Sequence, residues 1–240
     1  MIRGLASVAA AQELKPPTLW QWVGDHMGLI LSRTGQHVEL VVIAVVVGFA
    51  ISMPLSILAY RRPNVYPPVT WFTGLLYTIP FIALAVLLIP FTGLSVTTVE
   101  IGLVSYTLLI LIRNIVVGLR GVPEDVKEAA TGMGYTRRQL LWRVELPLAL
   151  PAIMAGLRVT TVSTVGLVTI GFIIGKGALG ELIIDGLDRF FTPEVLVGAV
   201  MSIALALVAD VLLLLLLRLL TPWTRGRARL LPNVSRTAGA

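Results

Sequence analysis

Between Val38 and Leu220 the chain is dominated by five apolar runs, at about 38–60, 68–91, 99–119, 150–174 and 194–220. A helix rises about 1.5 Å per residue and a bilayer's hydrocarbon core is about 30 Å thick, so runs of this length are what spanning helices need. A soluble domain gathers its apolar residues into short periodic stripes and charges about a quarter of its residues. Here 56% of residues are hydrophobic and only 13% charged. The sequence therefore predicts an all-α, multi-pass membrane protein with five transmembrane helices, Pro80 lying in the middle of the second.

Basic residues set the expected orientation. With the N-terminus outside, twelve of the 19 Lys and Arg residues fall on the inner side and five on the outer, with Arg113 and Arg158 inside spans. That excess predicts the N-terminus outside and the C-terminus in the cytoplasm. Residues 1–36 then form an outer N-terminal segment, a loose stretch followed by an interfacial helix over Thr18–Gln36 marked by Trp20 and Trp22. Residues 37–222 form the transmembrane domain, with a cytoplasmic loop at 120–149 and a short outer helix within the Gly-rich 175–193 segment. Residues 223–240 form a basic tail at the anionic cytoplasmic membrane surface.

Several function classes fall away. The net charge of +6 comes from loop residues, with no basic stripe interleaved with aromatics, so no nucleic-acid partner is expected. There is no cysteine, and His26 and His37 have no carboxylates at ligand spacing, so no metal site is expected and both histidines read as surface or interfacial. No Gly-rich phosphate loop ending in Lys-Ser/Thr is present, so no ATP hydrolysis is expected of this chain itself.

The loop at 120–149 reads as two short helices around a glycine joint. Pro123 suits a first helical position, and Glu124 and Asp125 complement the N-terminal dipole. Gly132 and Gly134 supply a left-handed stop, and Thr136 with Gln139 has capping-box spacing for the second helix. Pro147 is expected to break the pattern before the fourth span. Ala129 and Ala130 carry little bulk, which lets another protein's backbone come close.

The spacing Glu128-Ala129-Ala130, Gly134, Val144, Leu146-Pro147 resembles the cytoplasmic signature of permease subunits in binding-protein-dependent ABC importers. The resemblance implies a five-helix permease core like that of methionine permeases. It also implies that the first loop helix docks on a separate nucleotide-binding ATPase, with Glu128 as polar anchor, Ala129 and Ala130 as docking face and Gly134 as turn. ATP and Mg would be held by that ATPase and no cofactor by this chain. The partners so implied are the ATPase, a second permease subunit (the same chain or a paralogue), an extracellular or periplasmic substrate-binding protein and the bilayer.

Other segments resemble the osmoprotectant permeases for glycine betaine, carnitine and choline. They are Thr78-Ile79-Pro80 with Ala83-Leu84, Arg113-Asn114 with Gly118-Leu119, Glu128 to Arg158, and Thr169-Ile170 with Gly175 to Gly180. Phe81 and Lys176 depart from that pattern, which usually has small residues there. Methionine, taurine and phosphonate permeases share the loop signature but match these flanks less well, and an amino acid such as methionine or proline is the alternative cargo. An ATP-independent secondary transporter is the remote alternative, because five spans do not divide into inverted halves. Thr78, Pro80, Thr107, Asn114, Thr160, Thr161, Ser163 and Thr164 lie within spans as candidate lining of a route, although Ala152, Gly156, Thr160 and Thr164 also form a helix-packing stripe. Arg113 and Asp210 are the costly intramembrane charges, Asp210 in need of a partner.

Overall fold

The computed structural model describes residues 18–175 and 177–222; the N-terminal stretch, Lys176 and the basic tail over 223–240 lie outside the described residues. The described residues form ten α-helices and one π-helical turn: α1 (Leu19–Asp25), α2 (Met27–Arg61), α3 (Tyr66–Thr78), α4 (Phe81–Thr92), α5 (Val96–Arg120), α6 (Glu124–Gly132), α7 (Arg137–Leu140), the π turn (Leu141–Glu145), α8 (Leu146–Gly175), α9 (Ala178–Asp188) and α10 (Thr192–Leu220). Four helical rods are long and apolar enough to cross a membrane, and the α3–α4 pair makes a fifth, broken one.

That break corrects the expectation of a continuous second span. α3 and α4 meet at 96°. Pro80 excludes its predecessor from helical geometry, and Ile79 accordingly sits extended at φ −70°, ψ 126°. The Tyr106 hydroxyl, from α5, donates to the Ile79 carbonyl that the break leaves free. At 13 residues, α3 is only about 20 Å long, too short to span alone. The interfacial helix expected over Thr18–Gln36 is likewise shorter: only α1 stands apart, and α2 begins at Met27. The capping box of Thr18 and Gln21 starts α1, and His26 ends it with a non-helical backbone.

α5 is the centre of the bundle, with Leu103, Leu111, Ile112, Ile115, Val116 and Leu119 all at 0% exposure. It packs between α2 and α8, while α10 lies at the periphery against α8 and α9. In lipid, apolar burial alone gives helices no reason to associate, so close backbone approach through small residues has to hold them together. A Cβ on Gly48 of α2 would stand 1.9 Å from the Thr107 hydroxyl of α5. On Gly156 of α8, a Cβ would stand 2.5 Å from the Asn114 Cβ, also of α5. The stripe Gly156, Thr160 and Thr164 is thus the α8 face laid against the bundle, with all three residues buried.

At the end of the bundle opposite α6, α9 is tied to α2 by polar side chains. Gln36 accepts from the Ala178 N–H at 3.1 Å, and His37 Nδ1 accepts from the Leu179 N–H at 3.4 Å. His37 Nε2 then donates to the Val165 carbonyl at 3.1 Å, and Arg33 pairs with Glu181. Far from lying at the surface, His37 is fully buried and satisfies the Leu179 N–H in the first turn of α9. Gly180 lets α9 lie close against α8, since a Cβ there would meet the Thr169 carbonyl oxygen at 2.0 Å.

Candidate functional site

The loop between α5 and α8 is organised as its caps dictate. Pro123 precedes α6, and Glu124 and Asp125 occupy its first turn. A Schellman motif ends α6: the Gly134 N–H donates to Thr131 O at 2.9 Å and the Tyr135 N–H to Ala130 O at 3.1 Å. Gly134 is the left-handed residue at φ +85°, whereas Gly132 stays helical. Thr136 and Gln139 then form the capping box of α7.

Beyond that cap the structure departs from two separate short helices followed by a break. α7, the π turn and α8 run on as one rod of 39 residues, Arg137–Gly175. Pro147 does not interrupt it. The π turn donates the Leu146 N–H back to Leu141 O, five residues earlier, and this register shift makes room for a proline that lacks an N–H. The second loop helix is therefore the extension of a membrane span, and a tilt imposed at its end is carried about 58 Å along the rod.

The surface that α6 offers also differs from the expected one. Glu128, Ala129, Gly132 and Met133 are exposed, Met133 at 71%. Ala130 is only 3% exposed and faces its own chain, so it cannot be part of a docking face for another protein. Adjacent positions on a helix point about 100° apart, and here that rotation leaves Ala129 exposed while it turns Ala130 into the chain. Gly134 is exposed at the turn, Val144 and Pro147 are half-buried, and Leu146 packs in the core with Leu111, Ile115 and Leu119.

Three residues absent from the motif, Tyr60, Lys127 and Glu145, fasten this loop to the bundle. The Tyr60 hydroxyl, on the last turn of α2, donates to the buried Glu145 carboxylate at 2.7 Å. Lys127 of α6 places its ammonium 6.0 Å from the Tyr60 ring centre and 2.9 Å from Glu124. Glu124, which accepts its hydrogen bond, holds the Lys127 ammonium above the usual lysine range. Between α6 and the end of α2 lies a cleft of about 610 Å³ lined by Tyr60, Arg61, Lys127, Glu128 and Glu145. Linear spacing gave no sign of this cluster, whose members are 85 residues apart at Tyr60 and Glu145.

The candidate route residues are not brought together. Thr107, Thr160, Thr161 and Thr164 are buried inside the chain, three of them bonded to carbonyls of their own helices. They pack helices and do not line a surface. Asn114, half-buried, donates to Ile110 O within α5 and packs on Gly156. Thr78 and Pro80 are exposed at the α3–α4 bend, and Ser163 is half-exposed on α8.

Of the intramembrane charges, Arg113 is exposed near the α6 end of α5. Asp210 has its partner in Arg158: Nε donates to Oδ1 and Nη2 to Oδ2, both at 2.7 Å, joining α10 to α8. Two parallel charge-assisted bonds of this kind are the strong, orientation-specific form of the pair.

Comparison with known proteins agrees with this architecture. Residues 52–226 match the family model described as the binding-protein-dependent transport system inner membrane component. The chain is 36% identical over 200 residues to the carnitine transport permease OpuCB of Listeria monocytogenes, covering 83% of this chain and 92% of that protein. It is 37% identical over 203 residues to the osmoprotectant import permease OsmW of Salmonella typhimurium, covering 82% and 94%. With the choline transport system permease OpuBB of Bacillus subtilis it shares 33% identity over 202 residues, covering 84% and 93%. In fold it is similar to a chain of the inward-facing MetNI methionine ABC transporter, with TM-score 0.73 and 24% identity over 82% of this chain and 98% of that one.

Proposed function

This chain belongs to the family of binding-protein-dependent transport system inner membrane components, and from that premise we propose that it is the permease through which an ATP-driven importer moves a quaternary-amine osmoprotectant into the cell. The relatives that support this substrate class are named for carnitine, choline and osmoprotectants, at 33–37% identity over more than four fifths of this chain. The observation that carries the mechanism is the exposed, small-residue face of α6 at the end of a rod continuous with a membrane span.

In this reading the α6 end lies in the cytoplasm, as the basic loops require, and the opposite end with α9 faces outward. Glu128, Ala129, Gly132 and Met133 dock on a separate ATPase, which binds ATP and Mg and performs the hydrolysis. Closure of the ATPases moves α6. The Schellman turn at Gly134 hands that motion to the α7–α8 rod, and the Tyr60–Glu145 bond hands it to α2. Two spans that enclose α5 thereby move together and alternate the route's access. A second permease subunit completes the route, and a binding protein outside delivers the solute and supplies the high-affinity recognition. The chain itself needs only weak sites, because a solute held tightly would not leave.

Reconstitution in vesicles with its ATPase and binding protein tests this. ATP-dependent uptake of glycine betaine, choline or carnitine is expected. Uptake stimulated by methionine alone would overturn the substrate class, and uptake without ATP would overturn the coupling.

A further inference from the structure

We infer that the Arg158–Asp210 pair is a selecting station inside the membrane, at which a zwitterion carrying a quaternary ammonium and a carboxylate is held in passing. The inference deepens the substrate reading above and rests on it.

Asp210 lies ten residues before the end of α10 at Leu220, about 15 Å into the span, and Arg158 meets it from α8. An ion pair at such depth is a poor device for stability, since apolar residues of similar volume commonly replace one without loss. Nor is the pair sealed in the bundle. Its side chains remain 30% and 31% exposed, and they open on a cleft of about 510 Å³ between α8 and α10 that includes Ala155, Ser163 and Ala206. Charges facing hydrocarbon are costly, so the open side of this cleft faces water or another subunit. Ala155, Ser163 and Ala206 leave room for a solute beside Val159, Val162 and Leu207, which complete the lining.

The chemistry of the pair then names its ligand. A carboxylate can take over the two parallel N–H donors of the Arg158 guanidinium. A quaternary ammonium has no N–H to donate and needs a negative charge nearby, which Asp210 supplies. A zwitterion set between them with its charges opposed to theirs replaces one ion pair by two. The gain is small because the existing bidentate bond must loosen first, and small gain is what a passing station requires. A cation without a carboxylate, such as choline, engages Asp210 alone. Arg158 is therefore the residue that separates the two substrate types.

The test is the ratio of glycine betaine uptake to choline uptake in vesicles holding the complete transporter, a ratio that cancels differences in assembly. Arg158→Gln is expected to lower it by about fivefold or more, the loss of one charge-assisted contact, and Arg158→Lys to bring it back toward wild type. Should the unpaired Asp210 prevent Arg158→Gln from assembling, Arg158→Gln/Asp210→Asn keeps a hydrogen-bonded pair without charge. Its ratio is also expected to fall, because the zwitterion loses two contacts and choline one. A ratio unchanged in these variants overturns the station and leaves the substrate reading standing. A wild-type transporter that imports neither solute overturns the substrate reading and the station with it.

Discussion

Removing the Tyr60 hydroxyl tests how the loop between α5 and α8 is joined to the bundle. Tyr60 donates at 2.7 Å to Glu145, which is 6% exposed, so the bond is short, charge-assisted and screened from water. A hydrogen bond to a charged group contributes about 1.5–3 kcal/mol, and Tyr60→Phe leaves the carboxylate buried with that donor gone. A double-mutant cycle of Tyr60→Phe and Glu145→Leu, read from unfolding midpoints in detergent, is expected to give an interaction energy of about 1.5 kcal/mol or more. The functional expectation is separate. With α2 no longer tied to the π turn, motion of α6 reaches the α8 rod but reaches α2 less, so solute moved per ATP hydrolysed falls several-fold while docking persists. The assay is simultaneous uptake and phosphate release in vesicles. Additive single variants, within about 0.5 kcal/mol, together with an unchanged yield of transport per ATP, would refute the link.

Other expectations follow from the packing and the turns. Gly48→Ala places a methyl 1.9 Å from the Thr107 hydroxyl and is expected to cost about 1–3 kcal/mol, seen as a lower melting midpoint, with Thr107→Ala recovering part of it. Phe190 closes α9 in a left-handed conformation at φ +51°, so Phe190→Gly should raise the midpoint, by about 1–2 kcal/mol of relieved strain. Gly134→Ala, at φ +85°, should lower it by a similar amount; a midpoint that stays put in either variant would contradict the turn assignments. His37→Phe removes both the acceptor for Leu179 N–H and the donor to Val165 O, and accelerated hydrogen exchange at the start of α9 is expected, with unchanged protection counting against its role as a cap.

Much of this structure was legible in the chain because its causes are local. Apolar length marks the spans, and Pro123, Gly134 and the Thr136–Gln139 box mark the loop helices where they occur. What was not legible depends on three-dimensional neighbours. Pro80 lies inside an apolar run long enough for one continuous span, and the α3–α4 break there is fixed in space, where Tyr106 meets Ile79 O. Pro147 looked like a stop because its tolerance depends on a register shift in the turn before it. Ala129 and Ala130 look equivalent in a motif, yet helical rotation sends one to solvent and the other into the chain. Asp210 signalled a missing partner without naming it, and Arg158 is 52 residues away. Tyr60, Glu145 and Lys127 carry no motif at all, and only the folded chain brings them together.

In the proposed mechanism, ATP drives the membrane helices through the outward face of α6. Ala129→Trp puts a large side chain on that face, whereas Ala130→Trp would overpack the chain's own interior and tests only folding. The direct measurement is ATP-driven uptake together with co-purification of the ATPase for Ala129→Trp, compared with wild type at equal membrane content. Loss of both is predicted. An Ala129→Trp transporter that keeps its ATPase and its uptake would place the coupling surface elsewhere and contradict this mechanism.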